Sequence, residues 1–120
     1  MPKKAIKVIE TVVDFQSRKV TIFASAWQHV LRNHPVMALE MGRVTETLKN
    51  PELVREQNIR GVKNWLYHRS YTLWPPSLYL RVAVRWLSKI DGVDHGGDGF
   101  LTSAYPVEEH AKGELIWPQT

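Results

Sequence analysis

Histidine, arginine and hydroxyl side chains gather in three stretches of this 120-residue chain. Trp27-Gln28-His29 runs on to His34-Pro35-Val36-Met37, Tyr79, Arg81 and Arg85 alternate along an apolar run, and Leu101-Thr102-Ser103-Ala104-Tyr105-Pro106 follows late. With such groups a metal-free enzyme moves protons and holds the charge of a reacting phosphodiester. Attack of a ribose 2′-hydroxyl on its own phosphate needs one group to take a proton, one to protonate the leaving oxygen, and cations against the developing charge. His29 is the foremost acid/base candidate, because an unperturbed imidazole titrates at about pH 6.5 and its helix face is polar. Arg32 lies on that face, placed to hold phosphate. His34 falls on the apolar stripe before a proline, where a ring nitrogen can satisfy loose carbonyls at a helix end. Thr102 and Ser103 project to opposite faces of one strand, so only one of them can join a site.

These groups need elements to position them. Lys4 to Phe15 and Lys19 to Phe23 are β-prone runs around Gln16-Ser17-Arg18, which predicts a hairpin. Ser25 is expected to cap a helix beginning near Ala26, on which Trp27, Val30, Leu31 and His34 form the buried stripe while His29, Arg32 and Asn33 face elsewhere. Pro35 ends this helix and opens the next, with Met37, Met41, Val44 and Leu48 at helical spacing and Asn50-Pro51 as its stop. Period two follows: Lys63, Trp65, Tyr67, Arg69 and Tyr71 make an aromatic, basic face, with Asn64, Leu66, His68 and Ser70 opposite. Thr72 to Ser77 is a turn. From Leu78 to Leu87 the alternation is clearest, with Leu78, Leu80, Val82, Val84 and Trp86 inward and Tyr79, Arg81, Ala83 and Arg85 outward. If the register agrees, Lys63, Tyr67 and Arg69 join Arg81 and Arg85 in a cationic, aromatic surface suited to an RNA backbone with splayed bases. Asp91 to Gly99 is a glycine-rich loop, Phe100 to Tyr105 a strand, and Leu115-Ile116-Trp117 either a last short strand or a segment packed on the domain.

Composition narrows the chemistry. The chain has no cysteine, so thiolate nucleophiles, disulfides and cysteine zinc sites are excluded. A net charge of +4 leans towards polyanionic partners. His29 and His34, five residues apart, stand roughly 140° around a helix and make no metal pair, and Asp91, Asp94 and Asp98 lack the spacing of a calcium loop. No phosphate-binding or dinucleotide motif is present, and no metal or cofactor is expected. The length fits one domain over residues 1–120, and with neither a membrane span nor a secretory signal the expected compartment is the cytoplasm.

Taken in order, Trp27-x-His29, Leu31-Arg32-Asn33-His34-Pro35-Val36-Met37, Val44-Thr45-Glu46-Thr47-Leu48-Lys49-Asn50-Pro51, a strand such as Leu80 to Val84, Phe100 to Pro106 and Lys112-Gly113-Glu114-Leu115-Ile116-Trp117 resemble the phage-associated nucleases of the barnase, EndoU, colicin and RelE-like superfamily. The resemblance spans about residues 20 to 117. It implies an α+β fold, with the hairpin and two short helices packed on a roughly four-stranded antiparallel sheet, and a metal-independent, toxin-like endoribonuclease activity. It points to His29 or His34, to Thr102 and to a basic residue of the central sheet, Arg81 or Arg85; together with the surface read above, the expected catalytic residues are His29, His34, Arg81 and Thr102, with Arg32, Tyr67, Arg69, Arg85 and Tyr105 on the substrate. The expected partners are RNA, tRNA or mRNA among it, and an inhibitor protein. The competing expectation is a non-catalytic module of phage or mobile-element origin whose basic, aromatic face grips RNA or a protein without cutting it.

Overall fold

The computed structural model describes residues 7–86, 89–90, 93–94 and 98–118. The hairpin forms as its composition predicts: β1 (Val8–Val13) pairs antiparallel with β2 (Lys19–Phe23). Its turn is pinned by Asp14, whose Oδ1 accepts the backbone N–H groups of Gln16 and Arg18, each at 2.9 Å. β2 runs directly into α1 (Ala24–Asn33). Ser25 therefore does not cap this helix. Phe23 holds the cap position, and the backbone N–H of Ala24 is satisfied by the Lys7 carbonyl at 2.8 Å instead. Pro35 opens only a single 3-10 turn (Pro35–Met37), and α2 (Met41–Lys49) begins after it.

α2 is amphipathic for the reason its spacing gives, burying Val44, Thr47 and Leu48. The buried Thr47 hydroxyl is satisfied by the Arg43 carbonyl at 2.8 Å. Leu48 and Val44 sink fully into a core shared with Val20, Ile22, Val54, Tyr67, Leu80, Val82, Val84, Leu101 and Ala104. Each such aliphatic side chain contributes about 1.5–3 kcal/mol on leaving water.

Beyond Pro51 come β3 (Leu53–Ile59), β4 (Val62–Ser70), β5 (Tyr79–Trp86), the two-residue strands β6 (Lys89–Ile90) and β7 (Val93–Asp94), β8 (Gly99–Val107) and β9 (Glu114–Trp117). Among the described residues β6 and β7 pair with each other, β6 just before and β7 inside the expected glycine-rich loop, of which residues 91–92 and 95–97 lie outside the described residues, as does the start of the first predicted strand before Lys7. The main sheet has seven strands in the order β1-β2-β8-β5-β4-β3-β9. This corrects the expected four-stranded antiparallel sheet. The hairpin is part of the sheet instead of a layer on it, the β2 to β8 pairing is parallel, and β3 and β9 extend the far side. β3 escapes a reading of periodicity because Arg55, Glu56, Gln57 and Asn58 leave it almost without an apolar face.

β8 and β9 lie four strand spacings apart in the sheet. At about 4.8 Å per spacing the gap is roughly 19 Å. The seven backbone steps from Val107 to Glu114 reach about 24 Å at full extension, so the joining strap has little slack and crosses the sheet directly.

Candidate functional site

α2 contacts β1, β4 and β5 on the face that carries Leu80, Val82, Val84 and Trp86. The opposite face is defined by register. Leu53 pairs with His68, His68 with Arg81 and Arg81 with Tyr105, so these four side chains form one row across β3, β4, β5 and β8. Tyr67 instead pairs with Val82 and belongs to the core face. The expectation that Tyr67 and Arg69 flank Arg81 is therefore corrected: a shift of one residue changes the face, and the neighbour of Arg81 is His68.

Arg81 is the centre of the row. Its Nε donates to His68 Nε2 at 3.1 Å, one terminal nitrogen to the Tyr105 hydroxyl at 3.4 Å, and the other to the Glu109 carbonyl at 3.0 Å. His34, at the C-cap of α1, stacks on the Tyr105 ring with centroids 4.8 Å apart. It can do so because β2 pairs with β8 only at Gly99 and Phe100, leaving α1 to pack beside the rest of β8.

The strap laces itself to the sheet in strand order. Glu109 accepts from Arg81 on β5, the Ala111 N–H donates to His68 Nε2 on β4 at 3.1 Å, Gln57 on β3 donates to the Lys112 carbonyl at 2.7 Å, and Arg55 on β3 donates to the Gly113 carbonyl at 3.2 Å. Gly113 is required at the end of the crossing. Its φ is +138°, and a Cβ there would collide with the Glu56 carbonyl oxygen. Under the strap His68 is fully buried. Burial first, then the Arg81 charge and His110, lower its pKa from 6.5 to about 4, so its ring is neutral. Because Nε2 accepts two N–H donors, the ring proton is assigned to Nδ1. His110, exposed on the strap, rests against Tyr79 at 4.2 Å and His68 at 5.3 Å between ring centroids. Between strap and sheet opens a cleft of about 520 Å³ lined by Arg81, Gln57, His110, Lys112 and their strap neighbours.

Of the sequence-derived candidates, His34, Arg81 and Tyr105 come together and the others do not. His29 stays on the exposed face of α1, where the Asn33 amide lies 3.1 Å from its Nε2, and no contact among the described residues joins it to Arg81. Arg32 is exposed on the same helix. Thr102 is the extra residue of a bulge in β8 and donates to the Ala83 carbonyl at 3.3 Å. Tyr67 is fully buried and donates to Asp14 Oδ2 at 2.7 Å. Arg69 is occupied by the Asn50 carbonyl at 2.7 Å and Glu46 at 3.5 Å. Arg85 shares the face of Arg81 but lies four residues along β5, roughly 13 Å away. His68 and His110 are the residues that sequence reasoning missed. The greater apolar bulk of Trp65 and Tyr67 over Asn64, Leu66 and His68 was the available signal that His68 sits on the outer face; His110, in an irregular tail, offers none.

Comparison of the chain with known protein families, with curated proteins and with solved structures finds no match in any of the three. No described helix is long and apolar enough to cross a membrane.

Proposed function

We propose that the protein is a metal-independent endoribonuclease that cleaves RNA at the cleft between the Val107 to Glu114 strap and the sheet. The observation that carries this reading is the chain of contacts that links two exposed or half-exposed imidazoles to one half-buried guanidinium, His34 through Tyr105 to Arg81 and His110 through His68 to Arg81. One imidazole takes the proton of the 2′-hydroxyl, the 2′-oxygen attacks phosphorus, and the other imidazole protonates the departing 5′-oxygen, leaving a 2′,3′-cyclic phosphate. Arg81 and Tyr105 stabilise the charge on the phosphoryl oxygens. His68 takes no proton in this scheme, since its acceptor nitrogen is occupied and buried. The resemblance to toxin-like phage nucleases adds weight to this reading, with the cytoplasm as compartment and an inhibitor protein as a second partner.

The test is incubation of purified protein with total RNA and with tRNA in EDTA, followed by detection of cyclic phosphate ends. His34→Ala and His110→Ala should each lower the rate about 100-fold or more, and His29→Ala should not. Cleavage that survives both of the first two substitutions removes the proposed proton carriers.

A second reading, an RNA-binding module that does not cut, is favoured by the engagement of all three nitrogens of Arg81 within the protein. It predicts RNA binding lost in Arg81→Leu with no cyclic phosphate formed under any condition.

A further inference from the structure

We infer that His68 is a positioning residue: its buried Nε2 fixes both the Arg81 guanidinium and the strap, holding an anion-binding fork ready at the cleft. The inference rests on the reading of Arg81 as the group that meets the RNA phosphate, and deepens it.

Two donors reach one nitrogen from different directions of the chain, Arg81 Nε from β5 and the Ala111 N–H from the strap, both at 3.1 Å. A guanidinium has five N–H groups in a rigid plane. Three of them are used here, one on each nitrogen. Each terminal nitrogen thus keeps one N–H with which the guanidinium can still donate to phosphate oxygens. Nε is anchored on the buried His68 ring, which limits the swing of the guanidinium, and the Tyr105 ring lies 5.7 Å from the guanidinium carbon. A lysine-like or freely rotating cation would lose rotamer entropy on binding; this arginine has already lost it in the fold. The same nitrogen seats the strap, so the roof of the cleft and its cation are set by one acceptor.

The test uses the full chain and two measurements. The first is ¹⁵N imidazole NMR of the wild type at neutral pH. The inference expects His68 Nε2 to resonate as the unprotonated nitrogen and Nδ1 as the protonated one; the reverse assignment overturns it. The second is binding of a labelled single-stranded oligoribonucleotide, 2′-O-methylated so that it cannot be cut, together with hydrogen exchange of the Ala111 amide. Arg81→Leu should weaken binding about tenfold, and folded His68→Leu about as much, with faster Ala111 exchange. His68→Gln carries a side-chain oxygen at the reach of Nε2 and should restore binding to within about twofold. Wild-type affinity in Arg81→Leu overturns the phosphate reading and the inference with it. Loss of binding in Arg81→Leu beside full binding in folded His68→Leu overturns the inference alone. If His68→Leu does not fold, the NMR assignment and His68→Gln decide the matter: Nε2 protonated, or weak binding in a folded His68→Gln with the Ala111 amide still protected, overturns it.

Discussion

Replacing Asp14 by alanine removes the carboxylate that ties the β1–β2 turn to the middle of the sheet, and its cost can be worked from the contacts. Asp14 is 5% exposed. Its Oδ1 accepts from Gln16 and Arg18, and its Oδ2 from the fully buried Tyr67 hydroxyl at 2.7 Å. Without the carboxylate the Tyr67 hydroxyl is left in the core with no acceptor, a penalty of about 1–3 kcal/mol. The two turn N–H groups belong to an exposed and a half-buried residue, so water replaces part of what they lose. We therefore expect Asp14→Ala to lower stability by about 3 kcal/mol. At an unfolding entropy of roughly 0.25 kcal/mol/K for a chain of this length, Tm falls by about 12 °C. Tyr67→Phe deletes the donor but keeps its packing, and should cost about 2 kcal/mol.

Thermal and urea unfolding of wild type, both single variants and the double variant supply the numbers. The double variant should be less destabilised than the sum by about 1–2 kcal/mol, because each substitution alone strands the other partner. Additive effects, or single changes within about 0.5 kcal/mol of wild type, would show that the Asp14 to Tyr67 bond does not hold the hairpin. The pair also discriminates between surfaces. A Tyr67 that lined an RNA site would lose RNA affinity on conversion to Phe without losing stability, whereas a core Tyr67 does the reverse.

Two further outcomes follow from the same physics. His68 is neutral in the folded protein with its pKa lowered from 6.5 to about 4, so the unfolded chain binds the extra proton first. Its contribution is complete above about pH 6.5, drains away as pH falls towards 4, and reaches at most about 3 kcal/mol; urea midpoints between pH 7 and 4 check this, and an equal slope in His68→Gln would refute the assignment. Gly99 lies against Trp86 and Val84, whose side-chain atoms would come within 2.5 and 2.6 Å of an added Cβ. Gly99→Ala should cost about 1–3 kcal/mol in the same unfolding assay, and an unchanged midpoint would mean that β8 does not pass so close over Trp86.

Where the pattern in the sequence was strong, it predicted the element correctly. β5 alternates four apolar residues, Leu80, Val82, Val84 and Trp86, with Tyr79, Arg81, Ala83 and Arg85, while Leu78, expected inward, lies outside it and exposed; α2 repeats apolar residues at helical spacing up to Asn50-Pro51, and the hairpin flanks a polar turn. The misses have physical causes. β3 is polar along most of its length and is held by pairing on both sides, by β4 and β9, which no local pattern reports. On β4 both faces carry aromatic or aliphatic groups, so period two identifies a strand but leaves the inward face to the weaker signal of side-chain bulk, and Tyr67 and His68 exchanged roles as a result. Ser25 had the chemistry of a cap, but β2 runs into α1 so directly that a backbone carbonyl from Lys7 serves the helix start first. In the site, His34, Arg81 and Tyr105 were legible as residue types. His68 and His110 depend on where the chain crosses after β8, which is a property of topology.

That crossing explains why these side chains meet on this face. β2 stops pairing with β8 after Phe100, and the uncovered length of β8 is what lets α1 bring His34 onto Tyr105. β8 then ends at Val107 on one side of three strands, while its continuation must pair with β3 on the other. A taut segment with roughly 5 Å to spare has to pass over the row His68 and Arg81, and with no strand alongside it some of its backbone groups pair with side chains of that face. Arg81 and His68 supply two of those partners, and Gln57 and Arg55 the others. Lengthening the strap by a few glycines between Glu108 and Glu109 should therefore leave the sheet intact. It should also speed exchange of the Ala111 amide, since slack removes the tautness that acts beside the four strap hydrogen bonds to keep the crossing over His68.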